Sequence, residues 1–403
     1  MYVSDLALDD FRSYEHLVVS LEPGTTTFVG PNGQGKTNLV EAVGYLSTLS
    51  SHRVGAESAL VRRAAPGADQ PGGAVVRARV VHGERPTVLE VEIISGKANR
   101  ARLNRGQTRP RELLGVLRTV TFAPEDLALV REEPSVRRRL LDDLAVTLRP
   151  ALAGVRADHD RILTQRASLL KAARASRGRS ASMMTSLEVW DTQLAAAAAR
   201  LIAARVDVLA RLRPWIASCY AAVSEAQSQA EVAYRSSLLL REGATEPDPR
   251  RGGDWLDEQA QLCDVEATTA RLVSVMADLR PREVERGANL VGAHRDDLSL
   301  FIGGLPAKGF ASHGEQWSMA LALRLASYEM LRHDVDAFGG DGEPVLVLDD
   351  VFASLDARRR RALTRVVAGA QQALVTAAVD EDVPSELEGA RFRVERSTLT
   401  AVA

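Results

Sequence analysis

Residues 30–37 read Gly-Pro-Asn-Gly-Gln-Gly-Lys-Thr, which is the G-x-x-x-x-G-K-[ST] pattern of a phosphate-binding loop. The apolar run over 26–29 predicts a buried strand before the loop, and the spacing of apolar residues over 38–46 predicts a helix after it. In such a loop the backbone N–H groups converge on one point, and the helix dipole adds positive potential there. The chain is therefore predicted to have an α/β fold with a nucleoside triphosphate site. The predicted binding residues are Gly30, Pro31, Asn32, Gly33, Gln34, Gly35, Lys36 and Thr37.

A second motif of this kind of site lies nearer the C-terminus. Four aliphatic residues, 345–348, lead into Asp349 and Asp350, and they predict a buried strand that ends at the ligand-binding edge of a sheet. Asp349 and the Thr37 hydroxyl are predicted to hold Mg²⁺. Asp350 is placed to orient or deprotonate an attacking water, and Lys36 is placed to reach the β- and γ-phosphates. The two motifs together predict a core that binds ATP or GTP, with Lys36 and Asp350 as catalytic residues.

The pattern of hydrophobic residues predicts two domains. The chain has 403 residues, of which 45% are hydrophobic, and this is enough for a large core. Strand patterns dominate the first 133 residues, where two alternating segments, 76–80 and 89–93, predict an antiparallel meander. Helical spacing replaces them over 134–286. We therefore predict an ATPase head from 1–133 and 287–403, into which a helical arm domain, 134–286, is inserted. Residues 373–376 form the last clear strand pattern.

The predicted arm concentrates positive charge in a chain whose formal net charge is −2. Residues 131–180 contain twelve basic side chains and six acidic ones. Two alternative interpretations explain this excess of positive charge: a solvated helical face, or a surface that contacts the DNA backbone. A mobile loop is predicted over 175–186, between two helices. The main contributors to the charge are Arg137, Arg138, Arg139, Arg161, Arg166, Lys171, Arg174, Arg177 and Arg179.

Further motifs carry a resemblance to a known family. Residues 312–315, Ser-His-Gly-Glu, and 354–356, Ser-Leu-Asp, resemble the signature motif and D-loop of ABC-type ATPases. Residues 10–14, Asp-Phe-Arg-Ser-Tyr, and the Gly-Pro-Asn-Gly-x-Gly-Lys-Thr loop narrow the resemblance to the SMC-like DNA-repair branch, and within it to the RecF family. Other segments that resemble this family follow in the same order along the chain: 122–127, 137–142, 165–166, 190–191, 294–298, 322–326 and 348–352.

The resemblance implies a fold and a mechanism. The fold is an ABC-type P-loop ATPase head, in which a mixed sheet includes an antiparallel meander, with an inserted helical arm. Ser312 and Gly314 of one protomer would meet the γ-phosphate held by the other, so that ATP would produce a homodimer. Ser312 would thus be a catalytic as well as a nucleotide-binding residue, and Arg12 would also belong to the nucleotide site. The interval between Lys36 and Ser312 contains many predicted strands, which leaves room for a short arm but not for a long coiled coil.

The same resemblance implies a recombination mediator. Such a protein engages duplex DNA at single-strand gaps and helps to load RecA together with RecO and RecR. Its ATPase turnover is expected to be slow, stimulated by DNA and used as a switch. Departures from ABC-type patterns favour binding over fast hydrolysis: Asp350 replaces the usual Glu, and Thr376-Ala377-Ala378 stands where a histidine is common.

Several questions stay open at the level of sequence. The role of residues 294–297, His-Arg-Asp-Asp, is undetermined, and a hydrogen-bonded structural histidine is favoured for His294 over a metal ligand. A transporter ATPase subunit, an ATPase fused to a nuclease, and a scaffold that binds nucleotide without hydrolysing it are the competing functions. Cys219 and Cys263 form no disulfide framework, and the N-terminus has no signal-peptide pattern. A cytoplasmic, nucleoid-associated protein without membrane contact is expected.

Overall fold

The computed structural model describes residues 1–51, 53–64, 69–176, 181–224, 228–251, 254–335 and 342–402. The chain divides into two compact units. Unit 1 comprises Met1–Leu127, Ser218–Gln227 and Trp317–Ala403, and unit 2 comprises Ala128–Ala217 and Ser228–Gln316. These boundaries differ from those of the predicted head and arm. The largest difference is that residues 287–316, which were predicted to belong to the head, belong to unit 2. The predicted lobes, 1–133 with 287–403 and 134–286, stay a prediction.

The strands and helices of the described residues are named in chain order. The strands are β1 (Tyr2–Phe11), β2 (Tyr14–Ser20), β3 (Gly24–Val29), β4 (Gly73–His82), β5 (Arg85–Ile94), β6 (Arg100–Leu103), β7 (Gly106–Thr108), β8 (Thr119–Phe122), β9 (Ala230–Arg235), β10 (Asp297–Ile302), β11 (Leu305–Pro306), β12 (Val345–Asp349), β13 (Gln372–Ala377), β14 (Gly389–Glu395) and β15 (Thr398–Val402). The helices are α1 (Lys36–Thr48), α2 (Ala128–Arg131), α3 (Pro134–Leu148), α4 (Leu152–Ala175), α5 (Ala181–Val223), α6 (Ser237–Arg241), α7 (Asp254–Ala260), α8 (Val265–Arg286), α9 (Ala307–Phe310), α10 (His313–Arg332) and α11 (Ala357–Ala368).

A six-stranded sheet in unit 1 carries the two nucleotide-site motifs. Its strand order is β15-β14-β3-β13-β12-β8, and every neighbouring pair is parallel except β14 with β15. All five residues of β12 are buried, as expected for a parallel strand that is covered on both faces. Thr376 of β13 pairs with Phe28 on one side and with Asp349 on the other. The parallel register therefore brings the ends of β3, β13 and β12 to the same edge.

A second six-stranded sheet in unit 1 is entirely antiparallel, with the order β2-β1-β4-β5-β6-β7. The side chains of β4 alternate as predicted, so that Ala74, Val76, Ala78 and Val80 are buried. These residues join one hydrophobic cluster with residues of β12 and β13 in the first sheet. The predicted α/β fold with an antiparallel meander is therefore confirmed.

Unit 2 is mainly helical, although it also contains a three-stranded antiparallel sheet in the order β11-β10-β9. The prediction that strands are absent from 134–286 is wrong, because β9 lies in that stretch. The loop predicted over 175–186 is also too long, since α5 already begins at Ala181; its residues 177–180 lie outside the described residues. Residues 373–376 are not part of the last strand, since β14 and β15 follow. Among the described residues, no helix is long and apolar enough to cross a membrane.

Candidate nucleotide-binding site

The phosphate loop connects β3 to α1 and depends on its glycines. Gly33 and Gly35 have φ angles of 81° and 109°, in the left-handed region that side chains other than glycine rarely adopt. At Gly30 a Cβ atom would lie 2.2 Å from the carbonyl oxygen of Val394, which is far too close. The loop conformation therefore requires glycine at these three positions, two for backbone torsion and one for close packing against β14.

Lys36, the first residue of α1, is almost completely buried, with 5% of its surface exposed. Its ammonium group donates hydrogen bonds to the carbonyl oxygens of Gly30 and Pro31 within the loop. Burial lowers the pKa of Lys36, while the charges of Asp350 and Asp349 oppose that effect. A phosphate group in the loop would stabilise this buried cation further.

Asp349 and Thr37 meet at the sheet edge as the two motifs predict. The Thr37 hydroxyl donates a 2.9 Å hydrogen bond to Asp349 Oδ1, although the two residues are far apart in sequence. The same carboxylate oxygen accepts a 2.7 Å bond from the Thr376 hydroxyl on the neighbouring strand. Thr376 Oγ1 also accepts a 3.0 Å bond from the Asp350 N–H. Thr376, which was not predicted as a site residue, therefore connects the two acidic residues of the site.

Asp350 lies just beyond β12 with a φ of 54°, a left-handed conformation that aspartate tolerates better than most residues. Its Oδ1 atom is buried and has no hydrogen-bond partner among the described residues. A buried carboxylate oxygen without a partner is unfavourable, and a bound water would satisfy it. This geometry agrees with the predicted role of Asp350 in orienting a water, and that role stays a prediction.

The hydroxyl and carboxylate pair fits Mg²⁺. Mg²⁺ is usually held by one or two carboxylates together with phosphate oxygens and water, not by a complete protein cage. Thr37 Oγ1 and Asp349 Oδ1 supply two hard oxygen donors 2.9 Å apart, beside the loop that would hold the phosphates. In the part of the chain that the structure describes, no group of three or more His, Cys, Asp and Glu side chains could hold a metal ion. The donor set therefore fits a metal that arrives with its nucleotide.

Arg12 lies in the turn between β1 and β2, where it has a φ of 56°. Its guanidinium forms a two-point ion pair with the buried carboxylate of Glu41 on α1, at 2.6 and 2.8 Å. It also donates a 3.0 Å hydrogen bond to the carbonyl of Ala59. These contacts tie the turn to the helix that follows the phosphate loop. The resemblance-based assignment of Arg12 to the nucleotide site stays a prediction.

The hairpin of β14 and β15 packs against the phosphate loop, which the sequence did not indicate. The side chain of Gln34 accepts a 2.7 Å hydrogen bond from the Arg396 N–H, and its backbone carbonyl accepts a 2.9 Å bond from the Ser397 N–H. Arg396 and Ser397 form the turn, and both have positive φ angles. The Ser397 hydroxyl is 2.7 Å from that of Ser13. Gln34 therefore fixes the loop to the C-terminal hairpin.

The signature residues lie in unit 2, whereas the phosphate loop lies in unit 1. Ser312 is exposed and precedes α10. Its hydroxyl and its N–H both donate 2.8 Å hydrogen bonds to Glu315, while the hydroxyl accepts from the Glu315 N–H. This is the capping box S-x-x-E, which satisfies free N–H groups at a helix start. Gly314 lies inside the box, and the roles of Ser312 and Gly314 toward nucleotide stay predictions.

The arginine-rich segment of the arm does not form one exposed surface. Arg137 is buried and forms a two-point ion pair with Asp297, and Arg166 is fully buried and bonded to Asp191, Glu283 and Asn289. For these two residues the predicted contact with DNA is wrong, because their guanidinium groups are inside the protein. Arg161, Lys171 and Arg174 are exposed. Arg177 and Arg179 lie outside the described residues.

Residues 294–297 lie in unit 2, where Asp296 is buried and Arg295 is exposed. Asp296 is completely buried, and its carboxylate accepts 2.7 Å hydrogen bonds from Tyr234 and from the hydroxyl and N–H of Ser237. Burial raises the pKa of Asp296, while the bonds from Ser237 and Tyr234 oppose the shift. His294 is structural, but it is not hydrogen bonded as expected: both of its ring nitrogens are buried without a partner among the described residues. Burial lowers its pKa to about 3.

The fold and this geometry define a P-loop ATPase head of the ABC and SMC type. A solved structure of an Smc head domain from Pyrococcus furiosus has the same fold, with a TM-score of 0.53 and 14% identity over 100% of this chain and 96% of that one. A structure of the recombination mediator protein RecF-ATPrS in the RecFOR pathway gives a TM-score of 0.84 with 24% identity, over 100% of this chain and 98% of that one.

Sequence comparison identifies the family within that class. Residues 2–391 match the family described as RecF/RecN/SMC N terminal domain. The chain is 57% identical to the DNA replication and repair protein RecF of Beutenbergia cavernae over 98% of both chains. It is 50% identical to that of Streptomyces avermitilis over the full length of both. The chain therefore belongs to the RecF family, as its motifs predicted.

Proposed function

We propose that this chain is an ATP-dependent switch that binds DNA. The phosphate loop would hold the triphosphate, and Thr37 and Asp349 would hold Mg²⁺ with it. The contact that supports this assignment most directly is the hydrogen bond between Thr37 and Asp349, because it joins the two motifs at one sheet edge. Mg²⁺ would supply charge neutralisation for the phosphates. Lys36, which is buried beside both aspartates, would supply a fixed positive charge to the same group.

The switch would work through a homodimer that forms only with ATP. Ser312 is exposed at the start of α10, where the helix dipole favours an anion. Its hydroxyl is held by Glu315 in a capping box, so the serine is presented in a fixed position. The γ-phosphate bound by a second protomer is the anion that fits the ABC-type resemblance. ADP lacks this group, so only ATP would join the protomers.

Hydrolysis would be slow and would end the bound state. The buried, unpartnered Oδ1 of Asp350 would orient a water for attack on the γ-phosphate. Aspartate is one methylene shorter than glutamate, which places the carboxylate less favourably and agrees with slow turnover. DNA is expected to stimulate this ATPase. The reaction would then act as a timer for release, not as a source of work.

The biological role would be that of a recombination mediator. Relatives along the whole chain carry the name DNA replication and repair protein RecF. We propose that the ATP dimer engages duplex DNA at single-strand gaps and helps to load RecA together with RecO and RecR. A cytoplasmic, nucleoid-associated location would follow from that role.

Sizing by light scattering, with Mg²⁺ and either ADP or ATP, tests the shared site. Two symmetric contacts of about 1.5–3 kcal/mol each would be lost in Ser312→Arg, which weakens dimerisation on the order of a hundredfold or more. The monomer of this variant should bind ATP normally, because its phosphate loop is intact. Ser168→Arg is the matched control, since Ser168 is an exposed serine of the same unit. Asp350→Asn should instead accumulate ATP dimers.

The result that would reject the proposal is equally specific. If Ser312→Arg still dimerises with ATP as the control does, Ser312 does not contact a partner's nucleotide. If the unmodified chain stays monomeric with ATP but binds it tightly, the chain is a nucleotide-binding scaffold and not a dimerising switch.

A further inference from the structure

Unit 2 contains a cavity of about 450 Å³, and arginines form half of its described lining. Four arginines surround it: Arg235 at the end of β9, Arg241 at the end of α6, Arg286 at the end of α8, and Arg295. Among the described residues that line the cavity, Glu246 is the one acidic residue, and it forms a two-point ion pair with Arg235 at 2.6 and 2.7 Å. The remaining three arginines therefore leave the cavity strongly positive, although the whole chain has a formal net charge of −2.

These three arginines are available to a ligand. Arg241, Arg286 and Arg295 are exposed. Among the residues that the structure describes, no carboxylate forms an ion pair with any of them. Like charges that converge without counter-charges repel one another, so a bound anion would relieve an existing repulsion. The planar donor groups of arginine also match phosphate oxygens in pairs.

One residue of the His-Arg-Asp-Asp motif, Arg295, lines the cavity. Arg295 is held by two hydrogen bonds from Nε and Nη2 to the Asn289 carbonyl, at 2.9 and 2.7 Å. The residue after it, Asp296, is buried and bonded to Ser237, which itself lines the cavity. Asp297 is fixed by Arg137. The two aspartates therefore fix the backbone that presents Arg295, which gives a role to a motif that nucleotide binding does not use.

Positive charge continues from the cavity onto α4. The Arg174 guanidinium lies 3.4 Å from the carbonyl oxygen of Arg286. At Gly287, the residue after α8, a Cβ atom would be 3.3 Å from Arg174 Cδ and 3.6 Å from Lys171 Cγ. Lys171 and Arg174 are both exposed. The positive surface is therefore longer than one phosphate group, which favours a polymer with repeated phosphates over a single small anion.

We infer that this surface, formed by Arg241, Arg286, Arg295, Lys171 and Arg174, binds successive phosphates of a DNA backbone. The inference rests on the proposed function, since it requires that the chain binds DNA. It places the contact mainly at the ends of α6 and α8 and at the His-Arg-Asp-Asp motif, not along the whole predicted segment 137–179. Contacts of this kind position a protein on DNA without reading its sequence.

Salt-dependent anisotropy of a fluorescein-labelled duplex tests this surface, with the full chain and Mg²⁺-ATP. Arg241→Gln and Arg286→Gln each remove one charge but keep a long polar side chain. The logarithm of the binding constant falls linearly with the logarithm of the salt concentration. Each lost phosphate contact should reduce the steepness of this line by roughly 0.9, so the double variant should reduce it by roughly 1.8. At moderate salt its affinity should fall on the order of tenfold. Arg200→Gln, an exposed arginine on α5 of the same unit, is the control and should bind like the unmodified chain.

The outcomes separate this inference from the proposed function. If the unmodified chain binds the duplex and the double variant has the same affinity and slope, the surface is not the contact, while DNA binding stands. If the unmodified chain does not bind duplex DNA with ATP, the proposed function fails and the inference fails with it. A polyglutamate peptide is the second probe. If the double variant loses binding of this peptide but not of DNA, the surface serves an acidic protein instead, which overturns the inference.

Discussion

Mild acid should destabilise unit 2 through one histidine, His294, whose two ring nitrogens are buried. His294 loses solvent on burial, and this is the main reason that its pKa falls from 6.5 to about 3. The nearby His159, Arg295 and Arg138 lower the pKa further, and the backbone of Asn289 opposes them. In the unfolded chain the same imidazole titrates near 6.5. Between these two values the unfolded state binds the proton and the folded state does not, so stability falls as the pH falls.

The size of the effect follows from the two pKa values. At pH 7 the histidine is mostly neutral in both states, so it changes the free energy of unfolding very little. At pH 5 it is almost fully protonated in the unfolded chain and almost fully neutral in the folded one. The folded state then loses about 2 kcal/mol relative to pH 7. Such a loss is a large fraction of the stability of an ordinary domain.

Urea unfolding at pH 7 and pH 5, followed by tryptophan fluorescence, measures this loss. Three of the four tryptophans, Trp190, Trp215 and Trp255, are in unit 2, so the signal reports mainly on that unit. His294→Leu removes the titrating group, and it breaks no hydrogen bond, because both ring nitrogens lack a partner among the described residues. This variant should be at least as stable as the unmodified chain at pH 7, and it should lose about 2 kcal/mol less between pH 7 and pH 5.

The exposed His333 provides the control, and His333→Leu should keep the full pH dependence. If His294→Leu loses as much stability between pH 7 and pH 5 as the unmodified chain does, proton uptake by His294 does not cause the loss. A large loss at pH 7 would instead mean that the imidazole makes a favourable contact that its buried nitrogens do not reveal.

Three further substitutions test the other parts of the structure. Thr376→Val should lower the ATPase rate about tenfold or more, because the Asp349 carboxylate loses a hydrogen-bond donor and the Asp350 N–H loses its acceptor. Thr376→Ser keeps the hydroxyl and should restore the rate. Lys36→Arg should weaken ATP binding in a titration with labelled nucleotide, since a planar fork does not fit a space shaped around a compact ammonium. Arg166→Leu should destabilise unit 2 by about 3–5 kcal/mol in urea unfolding, because it leaves buried carboxylates unpaired, whereas the exposed Arg161→Leu should change stability by less than about 0.5 kcal/mol.

The parts of the site that could be predicted from sequence are those that depend on local chemistry. Glycines at positions 33 and 35 are required by backbone torsion, and a buried aliphatic strand that ends in two aspartates indicates a nucleotide site once a phosphate loop is also present. The capping box at Ser312 and Glu315 is equally local, since its partners are three residues apart. In each case the pattern lies within a few consecutive residues, so their spacing carries the information.

The C-terminal hairpin could not be predicted in this way. Only Phe392, Val394 and Leu399 are apolar near its turn, and its position depends on hydrogen bonds to Gln34, which is more than 360 residues away in the sequence. A glutamine inside a phosphate loop gives no sign that it accepts a hydrogen bond from another strand pair. In the sequence Thr376 is likewise visible only as a departure from a histidine, although its hydroxyl connects both acidic residues of the site.

The arginine-rich segment shows that a basic residue in a sequence can be either buried in an ion pair or exposed to solvent. Arg166 and Arg174 are eight residues apart on the same helix, and both contribute equally to the local excess of positive charge. Arg166 is buried because Glu283, a partner 117 residues away, packs against it, whereas Arg174 is exposed beside the end of α8. A buried arginine must be paired, and its partner appears only when distant helices come together. Folding therefore separates the basic residues of α4 into buried ones, which stabilise unit 2, and exposed ones, which can contact a ligand. The exposed residues lie next to arginines outside the segment, Arg286 and Arg295, and form one positive surface with them.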